Sequence, residues 1–455
     1  MTQSDPLLPS ASVPPGQTFE SRTLLKVMWR LIPFVVVGYL LNYIDRVNVS
    51  FAKLRMFADL GFDQNTAEAV YGLGAGIFFI SYFLFEVPSN LIMERVGARL
   101  WMARIMISWG LISAAMMFVN NAFWFYALRF LLGAAEAGFA PGILLYLTYW
   151  LPVREQGKAT AMFLTSTAIA GAIGAPLSTA IMKLEGSSLF GHSLHGWQWL
   201  FLLEGIPSVV FGVVLLLWLT DRPDHARWLS ADERQWLVRH LEQERAKRRR
   251  PGHHSLLDGL TSGRVWYLNL IYCAMMFGFQ AFNYWLATIV KEVTKLTDDF
   301  HVGLISSIPF VAAAIGMVLI GRHSDGTGER RWHVAICALV AAGGCLVCAA
   351  TDSPYVAVAA LTVGAVGLWG TLGPFWALPP GFLTGSAAAA GIAMINSIGN
   401  LGGGFLGPHT IGILKSRYQS YKPGLLVAAG ALVVAAILTA AMRRAATAEP
   451  DKREV

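Results

Sequence analysis

Apolar residues in this chain come in long unbroken runs, not in alternation and not as a stripe along otherwise polar helices. Leu31–Leu41 opens the first run. Val70–Val87, Leu200–Leu219, Val265–Val290, Gly303–Ile320 and Leu425–Met442 are among the others. A helix needs about 20 apolar residues to cross the hydrocarbon core, and at that window length the chain holds about twelve candidates. Backbone in lipid must satisfy its own hydrogen bonds, which leaves helices or a closed barrel. Barrel strands alternate apolar and polar positions, and these runs do not. The pattern therefore predicts an all-α membrane protein with twelve transmembrane helices.

One polar stretch interrupts the pattern near the middle. Asp221–Arg264 begins with Asp221-Arg222-Pro223 and places Trp228, Leu229, Trp236, Leu237 and Leu241 among charges. That reads as a short amphipathic helix on the membrane surface, followed by a basic linker. About six spans precede it and six follow. The expected organisation is a disordered cytoplasmic tail at 1–23, a six-helix bundle at 24–220, a cytoplasmic loop at 221–264, a second six-helix bundle at 265–444 and a cytoplasmic tail at 445–455.

Composition agrees with a lipid solvent. Of the 455 residues 55% are hydrophobic and only 14% charged, against about 25% charged in a soluble globule; the mean hydropathy is +0.52. The formal charge of +7 comes from 35 Lys and Arg against 28 Asp and Glu. With a cytoplasmic N-terminus, about 25 of the basic residues fall on cytoplasmic segments and about 8 on external ones. The heaviest cluster is Glu244–Arg250. Spread over many loops, this charge orients a membrane protein and does not suggest a nucleic-acid partner. Cys273, Cys337, Cys345 and Cys348 all lie in apolar runs and are expected to pack helices. Met1–Ser21 is polar and Pro-rich, without the pattern of a cleavable signal.

Two short turns repeat a charge pattern. Glu94-Arg95-Val96-Gly97-Ala98-Arg99 follows the second span. Gly321-Arg322-His323-Ser324-Asp325, then Gly328-Glu329-Arg330-Arg331, follows the eighth. Matching elements in two six-helix halves are the mark of a duplicated transporter. Acid and Arg at such turns can bond helix ends and hold one face shut, so Glu94, Arg95, Arg99, Asp325 and Arg330 are candidate gating residues; topology alone would also place charge there.

The strongest signal is charge in the wrong solvent. Asp45 and Arg46 fall in the first span, Arg129 and Glu136 in the fourth. Each charge at the bilayer centre costs about 2.5–3.5 kcal/mol. Four unpaired would cost about 10 kcal/mol, comparable to the stability of a whole domain. They must pair or line a wet cavity. Arg129 and Glu136, seven apart, share a helix face, whereas Asp45 and Arg46 diverge by about 100°. A carboxyl in such a cavity can take up and release protons, and an Arg can grip a carboxylate through two parallel hydrogen bonds. A static salt bridge between helices is the competing account. Asn396 and Asn400 share a face, and Trp376 sits among Pro374, Pro379 and Pro380; each can line a cavity or simply pack a neighbouring helix. Asn283 and Tyr284 in the seventh span stand likewise. Glu86 is expected to pair with Arg95 or Arg99, and Glu204 to sit near the outer surface.

At these residues the sequence resembles the major facilitator superfamily, over about Leu24 to Arg444. The first turn varies the family pattern, with Asn90 for Gly and Glu94 for Asp; the second keeps Gly321 and Asp325. Asn42-Tyr43-Ile44-Asp45-Arg46 with Ser50 and Ala52, and Arg129 through Gly133 to Glu136 and Gly138, are similar to the anion:cation symporter family. So are Phe85–Asn90 and Gly196–Phe201. The stretch Phe382–Gly385 through Asn396–Gly403 looks most like its tartrate, phthalate and hydroxyphenylacetate permeases. The resemblance implies proton-coupled uptake of a small organic anion, with no cofactor and no metal, by a monomer in the cell inner membrane with both termini cytoplasmic. It implies that Asp45 and Glu136 carry protons. Arg46 and Arg129 would meet the anion or hold those acids, and Tyr43 and Tyr82 would line the cavity. Thr167 stands where sugar-acid relatives carry Gln, and Ala287 where they carry Pro, which points to a smaller or aromatic acid. The fifth span lacks the fuller Gly-Pro run of drug antiporters. An antiporter of drugs or metabolites, or a transporter-like receptor, is the alternative. No nucleophile–base pair or phosphate loop suggests an enzyme.

Overall fold

The computed structural model describes residues 18–248, 262–379 and 385–442. Among them eleven helical segments are long and apolar enough to cross a membrane: Phe19–Asp59, Gln64–Val96, Ala98–Phe118, Ala122–Trp150, Val153–Leu184, Gly196–Trp218, Gly263–Thr294, Asp299–Thr327, Arg331–Ala350, Pro354–Trp376 and Lys422–Ala441. A further helix of 34 residues, Gly385–Tyr418, packs between the second and seventh spans and makes twelve. They are numbered here in chain order, so that Gly385–Tyr418 is span 11. Their lipid-facing surface is apolar, with Leu91, Leu111, Val210, Leu270, Ile315 and Ile437 exposed.

The packing repeats itself six spans later. Span 1 lies on span 5 as span 7 lies on span 11; span 2 on span 4 as span 8 on span 10; span 3 on span 6 as span 9 on span 12. The halves meet through the equivalent pairs 5 with 8 and 11 with 2. This is the architecture of two six-helix bundles related by an internal twofold axis. With twelve crossings both described ends lie on one face, the termini face.

Helix starts at Phe19, with Thr18 capping it, five residues ahead of the expected boundary; residues 1–17 and 443–455, where both tails are expected, lie outside the described residues. The central segment forms a helix at Ala231–Arg248. Leu229, Leu237 and Leu241 are buried, Trp228 stacks on Trp150, and Glu233 bonds Lys26 at 2.8 Å. The basic cluster enters this helix as far as Arg248, and residues 249–261 lie outside the described residues. The four cysteines are free, three buried and Cys273 half-buried.

Two spans are broken. Span 1 divides at Asn48, between Phe19–Val47 and Val49–Asp59. Span 4 divides between Ala122–Glu136 and Phe139–Trp150. The second break is written in Gly138, whose φ of +88° suits a residue without a Cβ. Asp45, Arg46 and Glu136 therefore sit in the last turns before the breaks.

Candidate functional site

The two broken helices bring Arg46 and Glu136 together. Arg46 Nε donates to Glu136 Oε1 at 2.9 Å, and its Nη2 to the same oxygen. Both side chains are buried. Arg46 lies at the carbonyl end of its helix segment, where a cation is favoured. Glu136 lies at the same kind of end, where an anion is not, and the guanidinium offsets that. Arg46 also stands 5.6 Å over the Phe78 ring and 5.7 Å over Tyr82.

Arg129 is placed differently. It is 1% exposed. Its Nε donates to the Gly74 carbonyl at 3.2 Å and its Nη2 to the Tyr284 hydroxyl at 3.2 Å. Its guanidinium stands 4.9 Å from the centroid of the same Phe78 ring. No carboxylate among the described residues forms an ion pair with it. The two guanidinium groups thus share one aromatic neighbour, one paired with a carboxylate and one not.

Asp45 points away from both. It accepts from Trp109 Nε1 at 2.9 Å, Ser113 Oγ at 2.9 Å and Ser208 Oγ at 2.5 Å. It is held inside the first half, by spans 3 and 6, with no Arg as a partner. The two acids named from the sequence therefore stand in separate pockets.

The second half closes the site with neutral groups. The Tyr43 hydroxyl donates to Asn283 Oδ1 at 2.7 Å, and the Tyr71 hydroxyl donates to the Tyr284 carbonyl. Glu86 does not pair with Arg95 or Arg99. It accepts from Asn396 Nδ2 at 2.7 Å and Ser397 Oγ at 2.6 Å, across the halves, and Asn400 Nδ2 donates to Asn396 Oδ1 at 3.0 Å. Trp376 packs edge-on to Tyr272 at 5.0 Å. Trp369 Nε1 donates to Thr167 Oγ1 at 3.0 Å.

The two faces of the bundle differ. Opposite the termini face, Arg55 Nε meets Asp299 Oδ2 at 2.6 Å, Lys53 Nζ donates to Thr288 Oγ1 at 3.1 Å, and Lys183 lies 3.8 Å from Asp298. Each contact joins the halves. Lys291 also pairs with Asp299 at 2.6 Å, and Lys53 with Glu68 at 2.6 Å. Beside these contacts a cavity of about 480 Å³ opens at the same face, lined by Lys53, Leu54, Glu68, Thr288, Glu292 and Lys415, with exposed Gln64 and Gln419 at its mouth. A backbone N–H from Phe300 beside it holds the Asp298 carboxyl below the usual carboxylate range. On the termini face the predicted gating residues stay within their own halves. Arg99 Nε lies 4.0 Å from Asp221, whose carboxylate also accepts the Arg99 backbone N–H at 2.8 Å. Arg330 pairs with Asp325 at 2.6 Å and donates to Ser324. Glu94 and Arg95 form no ion pair among the described residues.

Sequence reasoning missed Lys53, Glu68 and Asp299, which read as ordinary charges near span ends, and Phe78, which read as packing. It also misplaced Glu204, which is buried within the first half and not at an outer surface.

The chain matches the family model of the Major Facilitator Superfamily over residues 35–408. It is 47% identical over 427 residues to an Agrobacterium vitis protein named "Putative tartrate transporter", covering 94% of this chain and 96% of that one. It is 43% identical to a "Quinolone resistance transporter" of Acinetobacter baumannii, covering 92% and 95%. In fold it is similar to the crystal structure of a bacterial homologue of the human lysosomal transporter Spinster in an inward-facing, occupied conformation. There the TM-score is 0.72 at 16% identity, covering 90% of this chain and 95% of that one. With its twelve spans in two matching bundles, this chain belongs to the major facilitator superfamily and is a membrane transporter, not an enzyme.

Proposed function

We propose that the chain carries a small organic carboxylate, of the tartrate, phthalate or hydroxyphenylacetate kind, into the cell together with protons. The observation that carries this reading is Arg129, a buried guanidinium with two neutral acceptors and no carboxylate. A buried charge without a counter-ion is costly, and an arriving carboxylate supplies the missing one in the two-pronged geometry that Arg prefers. The names of the tartrate transporter relatives support the same substrate class.

Proton coupling follows from the neighbouring pair. Glu136 neutralises Arg46. A carboxylate that draws Arg46 toward it leaves Glu136 without its cation, and a proton takes that place. Proton and anion then move as a nearly neutral set while the halves, 24–220 and 265–444, rock about the site. With the termini in the cytoplasm, the contacts opposite the termini face close the outer side of the site.

The quinolone-resistance relative favours a second reading, an exporter on the same fold. One experiment separates them. Purified protein in liposomes is offered a panel of labelled carboxylic acids with and without an inward proton gradient. Gradient-dependent accumulation of one acid, lost on adding a protonophore, is expected. Uptake indifferent to the gradient, or a gradient that drives substrate the other way, would contradict symport.

A further inference from the structure

A second buried acid stands beside Asp45, and the site described above does not use it. Glu204 lies in span 6, is 5% exposed, and is enclosed by spans 1, 3, 5 and 6. Its Oε1 accepts from Ser178 Oγ of span 5 at 2.7 Å. Its Oε2 is buried with no hydrogen-bond partner. The groups that face it are few. Span 1 presents Asp45 and Asn48, and Asn48 Nδ2 is likewise buried and unpartnered. Span 5 presents Ser178. Span 3 meets span 6 backbone to backbone at Gly110 and Gly205, and its Trp109 and Ser113 turn to Asp45. No Lys or Arg is among them. One helical turn along span 6, Ser208 donates to Asp45 at 2.5 Å, so a single turn links the two acids.

Two carboxylates cannot both stay charged in such a place. Their donors decide which one does. Asp45 has three at 2.5–2.9 Å, from Trp109, Ser113 and Ser208; Glu204 has Ser178 at 2.7 Å and only a looser approach by Asn48. Hydrogen bonds to the charged form favour it, so the negative charge rests on Asp45 and the proton on Glu204. Asn48 can serve either state of Glu204, because an amide offers a donor on one side and an acceptor on the other.

We propose that Glu204 is a second proton-holding carboxyl that exchanges its proton with Asp45 during transport. The O–H bond of Glu204 breaks and one forms on Asp45, leaving the charge of the pair at −1. The charge then resides on the Glu204 carboxylate, where Ser178 and Asn48 receive it. Asp45 then releases that proton to water, and a second proton, one of those the gradient supplies, re-forms the Glu204 O–H bond, so the pair ends at −1 as it began. The link to substrate runs through span 1, where Asp45 and Arg46 are adjacent residues of one turn, facing opposite pockets.

The inference rests on the proton-coupled reading, and the test separates the two. Glu204→Gln keeps the shape of the protonated acid and cannot release a proton. Its gradient-driven accumulation is expected to fall at least tenfold more than its substrate exchange, and the pH profile of exchange is expected to flatten. Glu204→Asp, which keeps an acid one methylene further back, should restore coupling with a displaced pH midpoint. Glu136→Gln is measured alongside. If Glu136→Gln couples normally, the parent reading fails. If Glu136→Gln uncouples while Glu204→Gln keeps wild-type accumulation and pH profile, this inference alone is overturned. Should Glu204→Gln not reach the membrane, an unchanged pH midpoint in Glu204→Asp would overturn it equally.

Discussion

The two halves share one architecture but not one chemistry. Deep in the first half lie Asp45, Arg46, Glu86, Arg129, Glu136 and Glu204, all buried. At matching depth the second half presents Asn283, Tyr284, Trp369, Asn396 and Ser397 among the described residues; its buried charges, Asp299 and Lys415, lie toward the sealed face. Charge in lipid is costly and is retained where it works. On the proposed reading the duplicated bundle divides its labour: the first half holds the groups that change protonation or meet an anion, and the second supplies a neutral wall of hydrogen-bond donors and acceptors.

The largest break in that asymmetry is predicted at Arg129. Arg129→Lys keeps the charge but loses the planar fork, and uptake should fall at least about tenfold, since hydrogen bonds to charged groups contribute about 1.5–3 kcal/mol. Wild-type affinity for the carboxylate in this variant would show that Arg129 does not clasp it. A comparable loss is expected where the halves touch. A Cβ on Gly72 of span 2 would come 2.9 Å from the Gly412 Cα of span 11. Gly72→Val should wedge the sealed face open and cut turnover about tenfold, as overpacking costs about 1–3 kcal/mol. The check is alkylation of a cysteine introduced by Leu54→Cys, half-buried in the wall of the cavity at that face. Faster labelling in the Gly72→Val background is expected, and unchanged labelling would refute the wedge.

The neutral wall should respond more weakly. Tyr284→Phe removes one hydroxyl partner of Arg129, worth about 1 kcal/mol. KM is expected to rise about fivefold with kcat little changed. A fall in kcat of the size seen at Arg129 would erase the distinction between the halves. The smallest effect belongs to the seal. Arg55 is half-exposed where it meets Asp299, and such pairs contribute only about 0.2–1 kcal/mol. Arg55→Gln, which leaves Asp299 its second cation Lys291, should speed labelling at Leu54→Cys by about two- to fivefold, and more so at low than at high salt; no salt dependence would mean that the contact is not electrostatic.

The spans were legible because bilayer thickness imposes run length directly on sequence, and Arg46, Arg129 and Glu136 because charge stands out in such runs. The 100° between Asp45 and Arg46 foretold separate pockets, but not that Trp109, Ser113 and Ser208 would fill one of them. Those residues are 64, 68 and 163 positions away. Glu86 was assigned to nearby Arg residues when its partners are more than 300 positions distant. Asp299 and Lys53 were hidden for another reason. A charge at a span end satisfies topology whether or not it also bonds the other half, so only geometry could distinguish the seal from its surroundings.

The central claim, that the charged half drives accumulation by moving protons, is tested most directly in the Asp45→Asn, Glu136→Gln double variant. Labelled carboxylate accumulation under an inward proton gradient is measured in liposomes beside substrate-for-substrate exchange. The account predicts that accumulation is lost while exchange, which needs no net proton movement, persists. Accumulation at the wild-type rate in the double variant would contradict it.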